Sequence, residues 1–273
     1  GTEINHAKRW LYIGPFSFQP SELAKLALIV YLSESLSRNR KKARSFWRGV
    51  IPSLLVTGVL FFLIIKQPNM STAGILVMIT FVMLFLAGAK IWHLMSFVGI
   101  GCVGVVALVK KAKYRMDRIL AYKDPWSDPT KTGYQTIQSL YSLGSGGWFG
   151  MGLGASRQKF LYLPYSETDF IFAIIGEELG FIGATLIMIL FLGLIWRGVR
   201  IAITAPDLFG TLLASGIIAM IGIQVILNIA VVTNTIPPTG VPLPFISYGG
   251  SSLFLFMSSV GVLLNISKYS KAT

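Results

Sequence analysis

TDFIFAIIGEELGFIGATLIMILFLGLIW, residues 168–196, decides the fold: beyond Asp169, its only ionisable side chains are Glu177 and Glu178. A run this long and apolar reads as a helix that crosses a bilayer, which takes about 20 mostly apolar residues. Asp169 stands at its mouth, where a basic, glycine-rich loop runs into the span. Hydrocarbon is a costly place for a carboxylate, so an ionisable group at such a boundary, facing a polar loop, reads as a working site. Glu177 and Glu178 lie about 12 Å further along the axis at 1.5 Å per residue, where they must be paired or protonated. They read as structural anchors of the helix or as part of a path for a lipid headgroup.

Outward from this stretch the pattern repeats. The chain is 53% apolar and 13% charged, outside the soluble globular range. Spans are expected near Ser21–Leu36, Val50–Ile65, Thr72–Ala89, Leu94–Val109, Phe170–Trp196, Leu208–Val232 and Ser251–Ile266. The expected fold class is therefore all-α, a polytopic transmembrane helical bundle of seven spans. It forms a single membrane domain over residues 1–273, with a large extracytoplasmic loop over 110–168. Positive residues near span ends stay on the cytoplasmic side. Arg38, Arg40, Lys41, Lys42, Arg44 and Arg48 thus put the first connection inside, and alternation does the same for Lys90, Arg197, Arg200, Lys268 and Lys271. The N-terminus falls outside and the C-terminus inside. The loop over 110–168 is rich in Lys and Arg yet also falls outside, which the rule permits because long loops translocate largely regardless of charge. Such a basic outer surface suits an anionic partner, either a lipid pyrophosphate or headgroups that it merely touches. Nucleic acid is not an expected partner.

Several chemistries are excluded. Cys102 is alone and within a span, so no disulfide framework exists. His6 and His93 lack neighbouring ligands at zinc spacing. The run from Gly144 to Gly154 loosely imitates a nucleotide-binding turn, but no strand precedes it and no βαβ unit surrounds it. Its glycines allow tight folding and close approach, as in a re-entrant or surface-lying loop. Residues 236–252 carry four prolines, three glycines and no charge. Proline breaks helices, so this is a shaped outer loop. Its hydroxyls, Ser247 and Ser251 among them, either line a polar ligand or belong to a rigid connector. Glu22 and Lys25, three apart at a helix start, share one face. They are either a neutralising pair or members of a polar cavity shared with Asp169. Trp10 reads as an interfacial anchor or as an apolar face for a sugar ring.

Eight stretches carry a family resemblance: Ala7-Lys8-Arg9-Trp10, Gln19 through Lys25, Gly133-Tyr134-Gln135 through Ser139, Gly144-Ser145-Gly146-Gly147, Tyr162-Leu163-Pro164, Thr168 through Ala173, Glu177-Glu178-Leu179-Gly180, and Pro238-Thr239-Gly240 through Ser252. Together they resemble the SEDS family of bacterial cell-wall polymerases, which includes FtsW, RodA and SpoVE. Residues 156–164 look closer to the FtsW and SpoVE branch. Where relatives often read Pro-Glu-x-His-Thr-Asp, this chain has Pro164-Tyr165-Ser166-Glu167-Thr168-Asp169.

The resemblance implies ten spans with both termini cytoplasmic. The seven spans here would be the fourth to the tenth, with the first three missing. It implies a multi-pass protein of the bacterial cytoplasmic membrane, with an outward-facing site that polymerises lipid II into glycan strands by inverting glycosyl transfer. Asp169 would be the catalytic group. Lys25, Arg157 and Lys159 would contact pyrophosphate, and Trp10, Glu22, Ser247 and Ser251 would complete the cavity. An ordinary aspartate, with a pKa of about 3.9, is a weak base at neutral pH unless desolvation raises it. Asp169 is therefore either the base or the ligand of a divalent cation, Mg or Mn. Implied partners are a class B penicillin-binding protein, the transpeptidase, and other division or sporulation membrane proteins. A lipid II flippase or transporter, or a non-catalytic membrane scaffold, would also be built from such spans.

Overall fold

The structure, a computed structural model, describes residues 2–4, 7–13, 16–38, 45–111, 113–160 and 162–270. His6, Arg40, Lys41, Lys42, Arg44 and Lys271 lie outside them, as do the side chains of Lys8, Cys102, Lys110, Lys111, Lys113 and Arg115. The helices are α1 (Pro20–Ser37), α2 (Ile51–Ile65), α3 (Met70–Leu86), α4 (Ile91–Lys111), α5 (Lys113–Lys123), α6 (Tyr134–Gly146), α7 (Ile171–Thr204), α8 (Leu208–Val232) and α9 (Gly250–Tyr269). A helix stands at each of the seven expected spans, and the architecture is all-α and polytopic. Among the described residues, Phe46–Ile65, Ile171–Thr204, Leu208–Val232 and Gly250–Tyr269 are long and apolar enough to cross a membrane, and Met70–Leu86 is a shorter apolar helix. Two features are additions to the sequence reading. A small antiparallel sheet, β1 (Thr2–Ile4), β2 (Ala7–Ile13) and β3 (Phe16–Phe18), precedes α1, with Leu11 opposite Phe18 and Ile13 opposite Phe16. The loop over 110–168 contains α5, α6 and a tight turn at Pro125–Ser127.

The chain divides into two compact units: residues 1–98, 194–223 and 249–273, and residues 99–193 and 224–248. In the first, α1 packs on α2, α3, α9 and β2, and β3 packs on α9. Pro20 opens α1, where a missing N–H costs nothing, and Asn69 caps α3 by accepting from the Thr72 N–H at 3.1 Å. Leu28, Ile29, Leu32 and Leu36 form the buried stripe of α1 at helical spacing. A Cβ on Gly216 would press on the side chains of Ile29 and Met83, so this glycine lets α8 approach α1 and α3 closely.

In the second unit, α7 begins just after Asp169 and is broken at Gly180, whose φ is 68° and ψ −169°. A break inside a span frees backbone groups that must find partners. The glycine-rich loop supplies them. Phe181 and Ile182 donate their N–H groups to the Gly147 and Trp148 carbonyls at 2.8 and 3.2 Å, and the Met151 and Gly152 N–H groups bond the Glu177 and Glu178 carbonyls at 2.9 and 3.0 Å. Only glycine fits at the crossing: a Cβ on Gly180 would strike the Gly150 nitrogen and the Trp148 carbonyl, and one on Gly150 the Glu178 carbonyl.

Candidate functional site

Asp169 sits half-buried where two loops of the second unit are tied together. Asn228, on α8, donates from one amide nitrogen to the main-chain carbonyls of Asp169 and Val241, both at 2.8 Å. Ser247 Oγ donates to the Thr168 carbonyl at 2.6 Å and accepts from the Leu243 N–H at 2.7 Å. The Tyr248 N–H adds a bond to the Glu167 carbonyl at 2.8 Å. Tyr165 and Phe245, one on each loop, hold φ at 58° and 67°. Left-handed backbone at non-glycine residues persists only where the surroundings over-determine it, and it clusters at functional sites. The Asp169 carboxylate lies over Gly240, where a Cβ would come within 3.1 Å of Oδ2. The carboxylate's position is thus set by a backbone that hydrogen bonds on both sides hold in place.

Glu177 and Glu178, one and a half to two turns into α7, act on the loop that follows α6. Glu177 is 1% exposed. Its carboxylate accepts from the Ser142 and Ser156 hydroxyls and from the N–H groups of Arg157 and Gln158. Glu178 accepts from the Gly154 and Ser156 N–H groups and pairs with Lys159 Nζ at 2.8 Å. Lys159 also donates to the Gly154 carbonyl. These carboxylates fasten the segment from Gly154 to Lys159 to the span. Lys159 is turned to that purpose, whereas the Arg157 side chain is exposed and in no ion pair among the described residues.

Glu22, Lys25, Trp10 and Ser251 belong to the first unit. Glu22 and Lys25 form an ion pair at 2.8 Å with exposures of only 7% and 1%. Lys25 Nζ also lies 5.8 Å from the ring centre of Phe256 on α9, within cation–π range. Trp10, on β2, is half-buried. Ser251 Oγ, in the first turn of α9, is enclosed and has no hydrogen-bond partner among the described residues. Asn228 and Ser142 were not singled out from sequence, and Gly240 and Ser156 entered only within stretches of family resemblance, with no role. Of the first two, Asn228 carried a signal, as an amide in the apolar run of α8.

A divalent cation can be tested against these residues. Among the described residues no three His, Cys, Asp or Glu side chains gather to hold a metal, so an all-protein cage is absent. Asn228 Oδ1 and Thr239 Oγ1, on residues that flank Asp169 and Gly240, are enclosed oxygens without partners among the described residues. One carboxylate with neutral oxygens nearby fits a magnesium-type ion, which usually takes one or two carboxylates and completes its shell with water and substrate phosphates.

The profile of the FtsW/RodA/SpoVE family, described as a cell cycle protein, matches residues 1–272. The chain belongs to this family. It is 55% identical over 271 residues to stage V sporulation protein E of Bacillus subtilis (strain 168), covering 99% of this chain and 74% of that protein. To "Probable peptidoglycan glycosyltransferase FtsW" of Geobacter sp. (strain M18) it is 47% identical over 267 residues, covering 98% and 73%. Among solved structures it matches a chain of a peptidoglycan synthase complex, described for its coordination of polymerization and crosslinking, with TM-score 0.80, 33% identity and coverage of 98% and 75%. It matches the rod shape determining protein RodA of Thermus thermophilus with TM-score 0.69, 31% identity and coverage of 100% and 73%. Membership of the FtsW/RodA/SpoVE family, with the apolar helices above, makes this a multi-pass membrane protein.

Proposed function

We propose that the protein is a peptidoglycan glycosyltransferase that polymerises lipid II at the outer face of the bacterial cytoplasmic membrane. The observation that carries the reading is Asp169, a half-buried carboxylate fixed from both sides at the mouth of a span, in a chain whose relatives include a protein named as such a transferase. In the reaction the 4-hydroxyl of one GlcNAc attacks the anomeric carbon of MurNAc on a growing lipid-linked strand. The new C–O bond forms as the bond to pyrophosphate breaks, and the hydroxyl proton passes to a base. Asp169 serves as that base or as the ligand of a divalent cation. Such a cation would supply charge neutralisation at the departing pyrophosphate.

Arg157 is the cation offered to phosphate oxygens, with Lys159 holding the loop that carries it. Glu22 fixes Lys25. A buried ion pair adds little net stability, because desolvation offsets the attraction. Its presence on α1 therefore favours a working role. The partner is a class B penicillin-binding protein that crosslinks the strands, within an assembly of division or sporulation proteins; the structural match to a synthase complex supports this.

The test is the full-length protein in vesicles with labelled lipid II on one side. Long glycan products are expected; exchange of label between leaflets without products would indicate a flippase, and neither outcome a scaffold. A second expectation concerns Gly240. A Cβ there would crowd Oδ2 of Asp169 at 3.1 Å, so Gly240→Ala should displace the carboxylate and lower the polymerisation rate about tenfold, since ångström-scale misplacement of a reacting group costs up to about 100-fold. Lipid II binding should be unchanged, and an unaltered rate in steady-state glycan assays would argue against Asp169 as the reacting group.

A further inference from the structure

A cavity of about 420 Å³ lies between the end of α6 and the loop beyond it, with Leu140, Tyr141 and Met151 as its apolar wall and Ser145, Arg157 and Gln158 as its polar side. It shares no lining residue with the loop junction around Asp169. The charges around it can be assigned one at a time. Glu177 borders the cavity, but its two oxygens already accept from two hydroxyls and two backbone N–H groups, so its charge is compensated locally. Lys159 is matched by Glu178. That leaves Arg157 as a cation with no carboxylate partner among the described residues. Next to it, Gln158 Oε1 is enclosed and has no donor among the described residues. A buried acceptor without a partner is costly, and a ligand hydroxyl would satisfy it.

The surroundings indicate where such a ligand comes from. Trp148, Phe149 and Leu153 on the loop, and Phe181 and Ile182 on α7, are all more than half exposed. Trp148 stacks edge-on against Phe181, with ring centres 5.2 Å apart. Exposed aromatic and apolar side chains on a spanning helix and on the loop laid against it form a surface that lipid covers. A cation and an unfilled acceptor above an apolar wall fit an amphiphile: a phosphate against Arg157, a headgroup hydroxyl or water on Gln158, and the first carbons on Leu140, Tyr141 and Met151.

The geometry points to a site in this cavity for the phosphate headgroup of a membrane lipid, with Arg157 reading the phosphate. The volume holds a phosphate with a few carbons, and the rest of the ligand extends through the open side. Two lipids share that chemistry: an anionic glycerophospholipid, and the polyprenyl pyrophosphate set free by glycosyl transfer. Only the second source rests on the glycosyltransferase reading.

The experiment uses the purified, delipidated full-length protein, titrated with phosphatidylglycerol, phosphatidylcholine or undecaprenyl pyrophosphate and read by native mass spectrometry. The wild type should bind at least one of the two anionic lipids more tightly than phosphatidylcholine. Arg157→Gln should weaken that binding about tenfold or more, the usual effect of losing a hydrogen bond to a charged group, whereas Arg157→Lys should retain much of it. Selective binding of phosphatidylglycerol assigns the site to a glycerophospholipid, and selective binding of the pyrophosphate assigns it to the released carrier. Equal affinity for phosphatidylcholine, or unchanged binding by Arg157→Gln, overturns the proposal. The readout needs neither lipid II nor catalytic turnover. Failure of glycan synthesis thereby stays separate from failure of this site.

Discussion

Asp169→Asn in the full-length protein should reduce lipid II polymerisation by a factor of about 10²–10⁴, the usual contribution of a positioned acid or base, while the protein remains folded. The substitution keeps the size and shape of the side chain and removes its charge and basicity. Two ties that shape the site are to main-chain atoms: Asn228 reaches the Asp169 carbonyl and Ser247 the Thr168 carbonyl. Neither depends on the carboxylate. The expected pattern is a collapse of kcat with a nearly unchanged thermal midpoint. Asp169→Glu separates the two roles left to the group. A cation ligand tolerates one extra methylene better than a base that must meet a hydroxyl at about 3 Å, so substantial activity in that variant at raised magnesium favours the ligand role. Normal glycan synthesis by folded Asp169→Asn would remove Asp169 from the reaction altogether.

The parts legible in the sequence were those in which one chemical property dominates. Long apolar runs gave seven helices, since spanning segments must satisfy their backbone internally. Six of them were placed within three residues of their observed ends, while α7 runs on to Thr204, eight residues past the expected end. Asp169, Glu177 and Glu178 stood out because a carboxylate in or beside hydrocarbon is rare and costly. What was not legible depends on tertiary geometry. The buried face of α6 is formed by Thr136, Ile137, Ser139, Ser142 and Gly146, so an apolar periodicity search passes over it. Its hydroxyls are there to bond the Val232 and Ala173 carbonyls and Glu177. The break at Gly180 has no sequence mark, because glycine is common in spanning helices. It becomes intelligible only with the loop from Gly147 to Gly152 laid against it. The sheet at the N-terminus consists of strands of three, seven and three residues, too short for alternation to stand out.

Glu177→Leu should lower stability by about 3 kcal/mol or more and loosen one half of the glycine-rich loop. Leucine fills the space but accepts nothing, which strands the Ser156 hydroxyl and the part-buried N–H groups of Arg157 and Gln158, while the Ser142 hydroxyl keeps the Ala173 carbonyl. Each unsatisfied buried group costs about 1–3 kcal/mol. Glu177→Gln keeps one acceptor oxygen and should be clearly milder. The damage should be local, because the loop has two independent fastenings. Residues 147–152 are held by main-chain bonds to Glu177, Glu178, Phe181 and Ile182, and these survive the change. Residues 154–158 are held by the carboxylates. Amide hydrogen exchange should therefore accelerate most at Arg157 and Gln158, whose acceptor is lost, less at Gly154 and Ser156, which Glu178 still holds, while Met151, Gly152, Phe181 and Ile182 stay protected. Since Arg157 rides on the loosened half, lipid-phosphate binding should weaken in parallel. Uniform acceleration across both halves would mean that Glu177 supports the span as a whole, and unchanged exchange would mean that it does not hold the loop at all.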